Sequence, residues 1–215
     1  MFADINGDGR PDLLVNSIRG GTRIFINEGR FQFRESQRLN TGHGGMSLAL
    51  ADVDGDGWLD LYVCNYRPDT LRDQPRTAFR VRNSPLGPVI HEVNGRPATD
   101  PDLEGRFTIL GRGKIVENGE VDAFFLNDRK GNFLPVSFTG GTFLDEEGRP
   151  VSSPPHDWGL SVMFRDLNGD GAPDIYVCND FDSPDRIWIN DGRGHFRAIA
   201  ALALRSTSKF SMGVD

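Results

Sequence analysis

Residues 158–196 carry the pattern that decides the fold of this chain, and they read WGLSVMFRDLNGDGAPDIYVCNDFDSPDRIWINDGRGHF. An apolar stretch leads into the loop DLNGDGAPD (166–174), and a run rich in β-branched and aromatic residues follows it. Such runs, bounded by Gly, Asp and Asn, favour β-strands. The segment RIWINDGRGHF then places two short apolar strands around an Asn/Asp/Gly turn, which is typical of a β-hairpin. The stretch therefore predicts four strands and one acidic loop.

The acidic loop occurs three times, always as D-x-[DN]-x-D-G-x-x-D. The copies are DINGDGRPD (4–12), DVDGDGWLD (52–60) and DLNGDGAPD (166–174). The hairpin segments that follow them read TRIFINEGRFQF, DAFFLNDRKGNF and DRIWINDGRGHF. Four strands in each repeated unit are the arrangement of a β-propeller blade. We therefore predict an all-β fold, a β-propeller fragment with about three four-stranded blades.

Insertions in the second unit explain the unequal spacing of the loops, which begin at residues 4, 52 and 166. A smaller insertion is predicted at about 139–155, where paired glycines and three prolines indicate irregular loop. Both insertions leave the blade at the end away from the acidic loops, so we expect them on that opposite face. The predicted boundaries are about 1–38 for blade 1, 43–138 for blade 2 with an insertion at 67–120, 156–200 for blade 3, and 209–215 for the start of a further blade.

The three loops have the ligand chemistry of a calcium site. Oxygen-bearing side chains at positions 1, 3, 5 and 9 surround one point, and Gly at position 6 permits the sharp turn. Ca²⁺ takes six to eight hard oxygens in irregular geometry, whereas Mg²⁺ keeps a strict octahedron and several waters. We therefore predict about three Ca²⁺ ions, with backbone carbonyls from Arg10, Trp58 and Ala172. The predicted side-chain ligands are Asp4, Asn6, Asp8, Asp12, Asp52, Asp54, Asp56, Asp60, Asp166, Asn168, Asp170 and Asp174.

Two rival interpretations exist for these loops. An EF-hand shares positions 1, 3, 5 and 6 but needs a Glu at position 12 and flanking helices. Position 12 here is Val15, Val63 or Val177, each inside a predicted strand, which excludes the EF-hand. The other alternative is a set of tight turns in which Asp and Asn bond their own backbone. Ten of the 31 acidic residues lie in these loops, and such clustering without a counterion is costly, which favours the ion.

Composition and charge exclude several classes of protein. The 215 residues carry a net charge of −7, which indicates a partner other than nucleic acid. The longest run free of charged or polar residues, 198–204, is too short for a transmembrane helix. The start MFADINGDG lacks a signal peptide, and we expect both ends to be cut from a longer chain. Cys64 and Cys178 occupy matching places in DLYVCN and DIYVCN, which favours two buried thiols over a disulfide.

The loops followed by DLYV or DIYV, together with hairpins such as RIWINDGRGHF, resemble FG-GAP/VCBS-type repeats, which also form the calcium-loop blades of integrin α-chain propellers. More narrowly, residues 158–196 and the closing SMGVD resemble bacterial proteins that pair such repeats with a C-terminal ASPIC/UnbV module. The resemblance implies an exported, calcium-stabilised propeller of seven or a similar number of blades, usually without a demonstrated reaction. The literal Phe-Gly and Gly-Ala-Pro signatures are not both present in each blade, so the integrin comparison is architectural.

The sequence predicts a non-enzymatic binding or adhesion module outside the cytoplasm. Loops of this kind bind Ca²⁺ with dissociation constants on the order of 10⁻⁴ to 10⁻³ M, which fills them outside cells but not in a cytosol. We expect a protein or carbohydrate ligand on the face that carries the insertions. An acidic loop on that face offers further candidate ligand-binding residues, namely Asn179, Asp180, Asp182 and Asp185.

The alternative is part of a secreted carbohydrate-active or other enzyme, with an active site on the insertion face or in parts of the protein beyond this chain. The sequence holds no G-x-S-x-G, H-E-x-x-H or Walker motif. The four histidines lack metal-ligand spacing, and we expect them in surface loops or in packing: His43, His91, His156 and His195. The ligand, the total number of blades and the oligomeric state stay open at the level of sequence.

Overall fold

The computed structural model describes residues 1–85, 87–181, 183–200, 203 and 211–214. Asp182 and part of the expected further blade at 209–215 lie outside these residues. Helical structure in the described ranges is limited to a 3₁₀ turn at Gly111–Gly113 and a π-helical turn at Phe138–Thr142, and neither is long and apolar enough to cross a membrane. The strands are β1 (Phe2–Ala3), β2 (Asp12–Ser17), β3 (Gly21–Asn27), β4 (Phe33–Leu39), β5 (Gly45–Ala51), β6 (Asp60–Asn65), β7 (Phe79–Ser84), β8 (Gly87–Val93), β9 (Arg96–Pro97), β10 (Phe107–Leu110), β11 (Lys114–Glu117), β12 (Ala123–Asn127), β13 (Phe133–Val136), β14 (Phe143–Leu144), β15 (Gly159–Arg165), β16 (Asp174–Asn179), β17 (Arg186–Asn190) and β18 (Phe196–Ala198).

Three four-stranded antiparallel sheets form the propeller blades. Blade 1 has the order β1-β2-β3-β4, blade 2 has β5-β6-β12-β13, and blade 3 has β15-β16-β17-β18. The short strand β14, from the connection between blades 2 and 3, adds to blade 3 in parallel alongside β18. The prediction of an all-β propeller fragment with insertions in its second blade is confirmed.

The blades pack face to face because the middle blade is apolar on both faces. All six residues of β6 are buried. Alternate side chains of a strand point to opposite faces, so Leu61 and Val63 join the hydrophobic cluster of blade 1, while Tyr62 and Cys64 join that of blade 3. Their partners in the two clusters include Ile5, Leu14 and Ile24 on one side and Val162, Val177 and Trp188 on the other.

The acidic loops and the large insertion lie at opposite ends of the blades. In blade 2, the pairing of β5 with β6 runs from Ala51 opposite Asp60 at one end to Gly45 opposite Asn65 at the other. The acidic loop joins the two strands at the first end, whereas the large insertion leaves β6 after Asn65 at the second. We call these two ends the loop face and the insertion face. The smaller insertion, predicted on the same face as the large one, instead lies along the edge of blade 3, because β14 pairs with β18 and the buried Phe138 and Phe143 join the hydrophobic core.

The large insertion folds into small sheets of its own and is tied to the blade at its base. Strands β7, β8 and β9 form a three-stranded sheet, and β10 and β11 form a hairpin. The Glu120 N–H donates to the Tyr66 carbonyl at 3.0 Å. The buried Arg67 side chain donates to the carbonyls of Asn118 at 2.5 Å and Gly119 at 2.7 Å. The insertion is therefore held at both of its ends.

Cys64 and Cys178 lie in β6 and β16, and both are free, buried thiols. Burial raises the pKa of Cys178 to about 11 and that of Cys64 well above its usual range. Both thiols therefore stay protonated at neutral pH and act as small apolar side chains.

Candidate functional site

Each acidic loop is folded around the carboxylate at its first position. Asp4 accepts hydrogen bonds from the N–H groups of Gly7 and Gly9, both at 2.8 Å. Asp52 and Asp166 accept the bond from the sixth-position glycine at 2.9 Å. Gly9 has a φ of 80°, a left-handed conformation that favours glycine, so this position needs it. Bonds of this kind also form in simple Asp turns, so they do not by themselves indicate an ion.

A buried aspartate occupies the ninth position of every loop and joins that loop to the hairpin of the same blade. Its Oδ1 accepts the backbone N–H of the hairpin asparagine at 2.8 Å in the pairs Asp12–Asn27, Asp60–Asn127 and Asp174–Asn190. Its Oδ2 accepts the N–H of the second loop residue at 3.2, 3.2 and 2.8 Å, from Ile5, Val53 and Leu167. The loop motif predicts these aspartates only as ligands, and the asparagine that recurs in each hairpin is the sequence signal for this second role.

The second loop brings three carboxylates together. One oxygen each of Asp52, Asp54 and Asp60 lies within 4.8 Å of the others, so one cation could contact all three. Burial raises the pKa of Asp54, and the negative charges of Asp56 and Asp52 raise it further. Burial also raises the pKa of Asp60 to about 6. A cation would offset both the repulsion and the loss of hydration, so this donor set fits a hard ion such as Ca²⁺.

The first and third loops carry asparagine at the third position and hold fewer charges. Asn6 Nδ2 donates to Asp8 Oδ2 at 3.1 Å, and Asn168 Nδ2 donates to Asp170 Oδ2 at 2.8 Å. Both loops are fully described, and neither groups three acidic side chains as closely as the second loop does. The second loop is therefore the strongest candidate metal site.

An arginine pairs with the fifth-position aspartate in two of the loops. Asp8 pairs with Arg10 of its own loop, whereas Asp56 pairs with Arg129 Nε at 2.7 Å. Arg129 lies in the hairpin, 73 residues away along the chain, so no local pattern in the sequence indicates this pair. The backbone N–H of the seventh residue also donates to this aspartate at 2.8–2.9 Å, from Arg10, Trp58 and Ala172.

On the insertion face, the acidic segment at 179–185 is held largely by internal bonds. Asp185 accepts hydrogen bonds from the Tyr176 hydroxyl and the Asn179 N–H, both at 3.0 Å. Asp122 makes the equivalent pair of bonds in blade 2. Asn179 is fully buried, and its side chain donates to the carbonyl of Pro184 at 2.8 Å. Asn179 and Asp185 thus support the strand connection rather than present a ligand surface.

Beside this segment, the insertion face carries an aromatic cavity of about 470 Å³. Tyr66, Trp158 and Phe181 meet there, with ring centroids 4.7 to 6.2 Å apart. Asp180 accepts a hydrogen bond from the Tyr66 hydroxyl at 3.3 Å. These residues come from three separate segments, so no local pattern in the sequence indicates the cavity. Its remaining walls include Leu71, Arg72, Leu110, Val116, Glu117 and Asn118.

A second cavity, of about 510 Å³, contains two of the four histidines. His43 Nδ1 lies 3.5 Å from Glu120 Oε2, and this contact raises the pKa of His43. Burial lowers the pKa of His156. His91 and His195 each stand beside an adjacent carboxylate. Within the described ranges, no histidine belongs to a cluster of three or more potential metal-ligating side chains.

The acidic loops and their strands match a known family. Residues 4–63 and 166–215 match the family model described as FG-GAP-like repeat. Cartilage acidic protein 1 of Homo sapiens is 28% identical over 233 aligned residues, which cover 97% of this chain and 33% of that protein. The protein of the same name from Mus musculus is 28% identical over 222 residues, which cover 92% of this chain and 33% of that protein. This chain therefore spans about a third of the length of these curated relatives.

A solved structure of a lectin from Agrocybe aegerita, described as recognising non-reducing terminal N-acetylglucosamine, is also similar. It is 17% identical, with 91% of this chain and 50% of that chain covered and a TM-score of 0.25. A TM-score this low indicates neither a shared fold nor a shared ligand. The family match, in contrast, includes all three acidic loops and most or all of the strand that follows each of them. This chain belongs to the family of FG-GAP-like repeat proteins.

Proposed function

We propose that this chain is part of a calcium-stabilised, extracytoplasmic β-propeller that acts as a binding or adhesion module without catalysis of its own. The main support is the second loop, where one carboxylate oxygen each of Asp52, Asp54 and Asp60 lies within 4.8 Å of the others. Carboxylates held so close repel one another, and a divalent cation between them removes that repulsion. Ca²⁺ suits a set of hard oxygens in irregular geometry.

The ion has a structural role in this proposal. Asp60 offers the ion a carboxylate that also accepts the backbone N–H groups of Val53 and Asn127. An ion held there would fix the loop and the hairpin of blade 2 together. Because the other two loops repeat the same backbone bonds, the proposal extends to about three ions and to the twelve side-chain ligands predicted from the sequence.

The expected affinity of the loops for Ca²⁺ supports the extracytoplasmic location. Loops of this type are expected to bind Ca²⁺ with dissociation constants on the order of 10⁻⁴ to 10⁻³ M, which only extracellular calcium satisfies. The narrower relation to proteins that carry an ASPIC/UnbV module is part of the proposal as well. Because similar proteins occur in Homo sapiens and Mus musculus, the relatives of this chain are not confined to bacteria.

The insertion face is the proposed side for a protein or carbohydrate ligand. It carries the aromatic cavity and the cavity that contains His43 and His156, and the insertion that lines them is held to the blade at both ends. Ligand sites are typically concave and mounted on loops that a rigid scaffold positions. The net charge of −7 favours a partner other than nucleic acid.

Thermal unfolding followed by circular dichroism tests the calcium part. We expect the Tm to rise with millimolar Ca²⁺, to rise much less with Mg²⁺ and to fall in EDTA, because an ion that binds only the folded state stabilises it. A cooperative melt with a Tm indifferent to Ca²⁺ would refute the proposal.

Matched variants assign the effect to the second loop. Asp52→Asn removes one carboxylate of the cluster and should reduce the rise in Tm that Ca²⁺ produces. Glu147→Gln removes an exposed carboxylate outside the loops and should leave that rise unchanged. Binding on a glycan array or in a pull-down tests the ligand side, and turnover of a polysaccharide by this chain would contradict a non-catalytic role.

A further inference from the structure

Three aromatic rings set at steep angles define the cavity on the insertion face. The Tyr66 and Trp158 rings lie 4.7 Å apart at 58°, and the Trp158 and Phe181 rings lie 5.4 Å apart at 80°. Trp158 is only 7% exposed and forms the base, whereas Tyr66 and Phe181 are half-buried. Their partly accessible rings can pack against the C–H groups of a small ring.

Phe181 enters this cavity through a strained backbone conformation. Its φ is 56°, in the left-handed region that bulky residues rarely adopt. The Phe181 N–H donates to Asp180 Oδ1 at 2.8 Å, which helps to hold the turn. Strain of this kind is concentrated at ligand sites, where the surrounding structure maintains it. The turn therefore places an aromatic ring at the cavity.

Arg72 is a cation of this cavity that forms no ion pair with a described carboxylate. Glu117 Oε1 pairs with Arg106 at 2.7 Å, and Glu117 Oε2 accepts the Leu71 N–H at 2.7 Å. Arg72, in contrast, lies over the Phe181 ring with its guanidinium carbon 5.5 Å from the ring centroid. No carboxylate in the described part of the chain pairs with Arg72. The cavity thus offers a positive charge to a ligand.

Neutral hydrogen-bonding groups complete the lining. The Asn118 side-chain amide donates to the Gly105 carbonyl and the Thr108 hydroxyl, both at 2.8 Å. These bonds fix the Asn118 side chain and leave its oxygen as an acceptor. Ser183 adds a hydroxyl that both donates and accepts. Such groups match the hydroxyls of a sugar, each of which is also donor and acceptor.

We propose that this cavity binds a hexuronic acid residue, a six-membered sugar ring that carries a carboxylate. The inference rests on the proposed function and names the ligand chemistry of its insertion face. One face of the sugar ring packs on Tyr66 and Phe181, and the carboxylate pairs with Arg72. A guanidinium matches a carboxylate through two parallel hydrogen bonds, and stacking on Phe181 restrains Arg72 for that contact. The volume of about 470 Å³ is that of an ordinary small-molecule site.

A cationic ligand fits the same cavity poorly. Three aromatic rings can form a cage for an ammonium group, but Arg72 already takes the cation position over Phe181. Beside the cavity, Glu117 pairs with Arg106, and Asp180 already accepts hydrogen bonds from the Tyr66 hydroxyl and the Phe181 N–H. A second cation would be repelled by Arg72 and would compete with the two donors whose hydrogen bonds Asp180 already accepts. The charges therefore favour an anionic ligand.

Titration by saturation-transfer NMR, in millimolar Ca²⁺, tests the proposal with two matched sugars. Methyl glucuronide and methyl glucoside differ only in a carboxylate that replaces a CH₂OH group. We expect the glucuronide to bind at least tenfold more tightly, and its ring C–H protons to receive the strongest saturation. Phe181→Ala should weaken the binding of both sugars, because it removes the packing surface that they share.

Arginine variants locate the charge that discriminates between the sugars. Arg72→Gln should make the two affinities equal, and Arg72→Lys should keep only part of the preference, because lysine lacks the planar fork. Arg76→Gln, at an exposed position of the same segment, should leave the preference intact. Arg72 is itself exposed, so its variants are expected to fold.

The outcomes separate this proposal from the proposed function. Equal affinity for the two sugars, or a preference that survives Arg72→Gln, would overturn the hexuronate site and leave the binding module standing. Binding of an acidic peptide with no binding of either sugar would overturn it as well. Binding of the glucuronide by a chain whose Tm ignores Ca²⁺ would support this site and refute the calcium part of the proposed function.

Discussion

The side-chain amide of Asn190, in the hairpin of blade 3, donates a hydrogen bond of 2.8 Å to the carbonyl of Val53, in the acidic loop of blade 2. Asn127 of blade 2 makes the equivalent bond to the carbonyl of Ile5 in blade 1, at 2.9 Å. Each of these asparagines thus links its own blade to the acidic loop of the preceding blade. An ion that orders an acidic loop would also order the contact between two blades.

Asn190→Ala is expected to destabilise the chain by about 1–3 kcal/mol, because it leaves buried carbonyl groups without their donor. Asn190 is 1% exposed, and its amide also donates to the Pro173 carbonyl at 3.1 Å. The free energy of unfolding in urea measures the effect. Asn132→Ala, which removes an exposed bond in the hairpin of blade 2, is the control and should change stability by less than about 0.5 kcal/mol. Equal losses from the two variants would contradict the proposed link between blades.

Trp58 provides an optical reporter for the metal site. It occupies the seventh position of the second loop, next to the cluster of Asp52, Asp54 and Asp60. Tb³⁺, a hard cation that replaces Ca²⁺, should therefore luminesce when the indole is excited. We expect the signal to fall on addition of Ca²⁺ and to be much weaker in Asp52→Asn. A signal that persists in Trp58→Phe would show that the ion lies elsewhere.

Asp122 should make stability depend on pH. Burial raises its pKa to about 7, although the Asn65 N–H and the Tyr62 hydroxyl oppose the rise. Between about pH 4 and pH 7 the folded chain therefore holds a proton that the unfolded chain has lost. Stability should fall as the pH rises through this window, with a slope that approaches about 1.4 kcal/mol per pH unit, and should level off above pH 7.

Asp122→Asn isolates this effect, because the amide does not titrate. Unfolding in urea from pH 4.5 to 7.5, at a constant excess of Ca²⁺, should give a shallower slope for the variant than for the wild type. Burial also raises the pKa of Asp60, to about 6, in the ion-free loop, but Ca²⁺ bound to this carboxylate would keep it ionised, so Asp60 adds little slope in either chain. Identical slopes would show that Asp122 is ionised in the folded state throughout this range.

Gly119→Ala tests how the insertion is seated. A Cβ at Gly119 would lie 1.6 Å from the Asp157 carbonyl oxygen, so the base of the insertion would have to move away from the blade connection. We expect a loss of about 1–3 kcal/mol or more. Gly111→Ala, in the same insertion, has no atom within 4 Å of its added Cβ and should stay within about 0.5 kcal/mol of the wild type. Thermal unfolding of the two variants compares these effects directly.

The local sequence pattern was sufficient to predict the strands of the blades. Strand residues such as those of β6 alternate between two neighbouring blades, so their apolar character is continuous along the chain and visible in DLYVCN. The acidic loops can likewise be predicted from the sequence, because Asp, Asn and Gly at fixed spacing determine a turn through bonds to their own backbone. The position of the large insertion follows from the polarity of the strands around it.

The sequence by itself determined the repeated strands, the three acidic loops and the face that carries the large insertion, because each depends on contacts between residues close in the chain or on strand direction. Only the tertiary structure decided that Asp56 pairs with Arg129, and that Asn190 bonds to Val53. It alone placed Tyr66, Trp158 and Phe181 around one cavity. These contacts join residues far apart in the chain, and packing of whole blades and of the insertion brings them together, which no spacing in the sequence encodes.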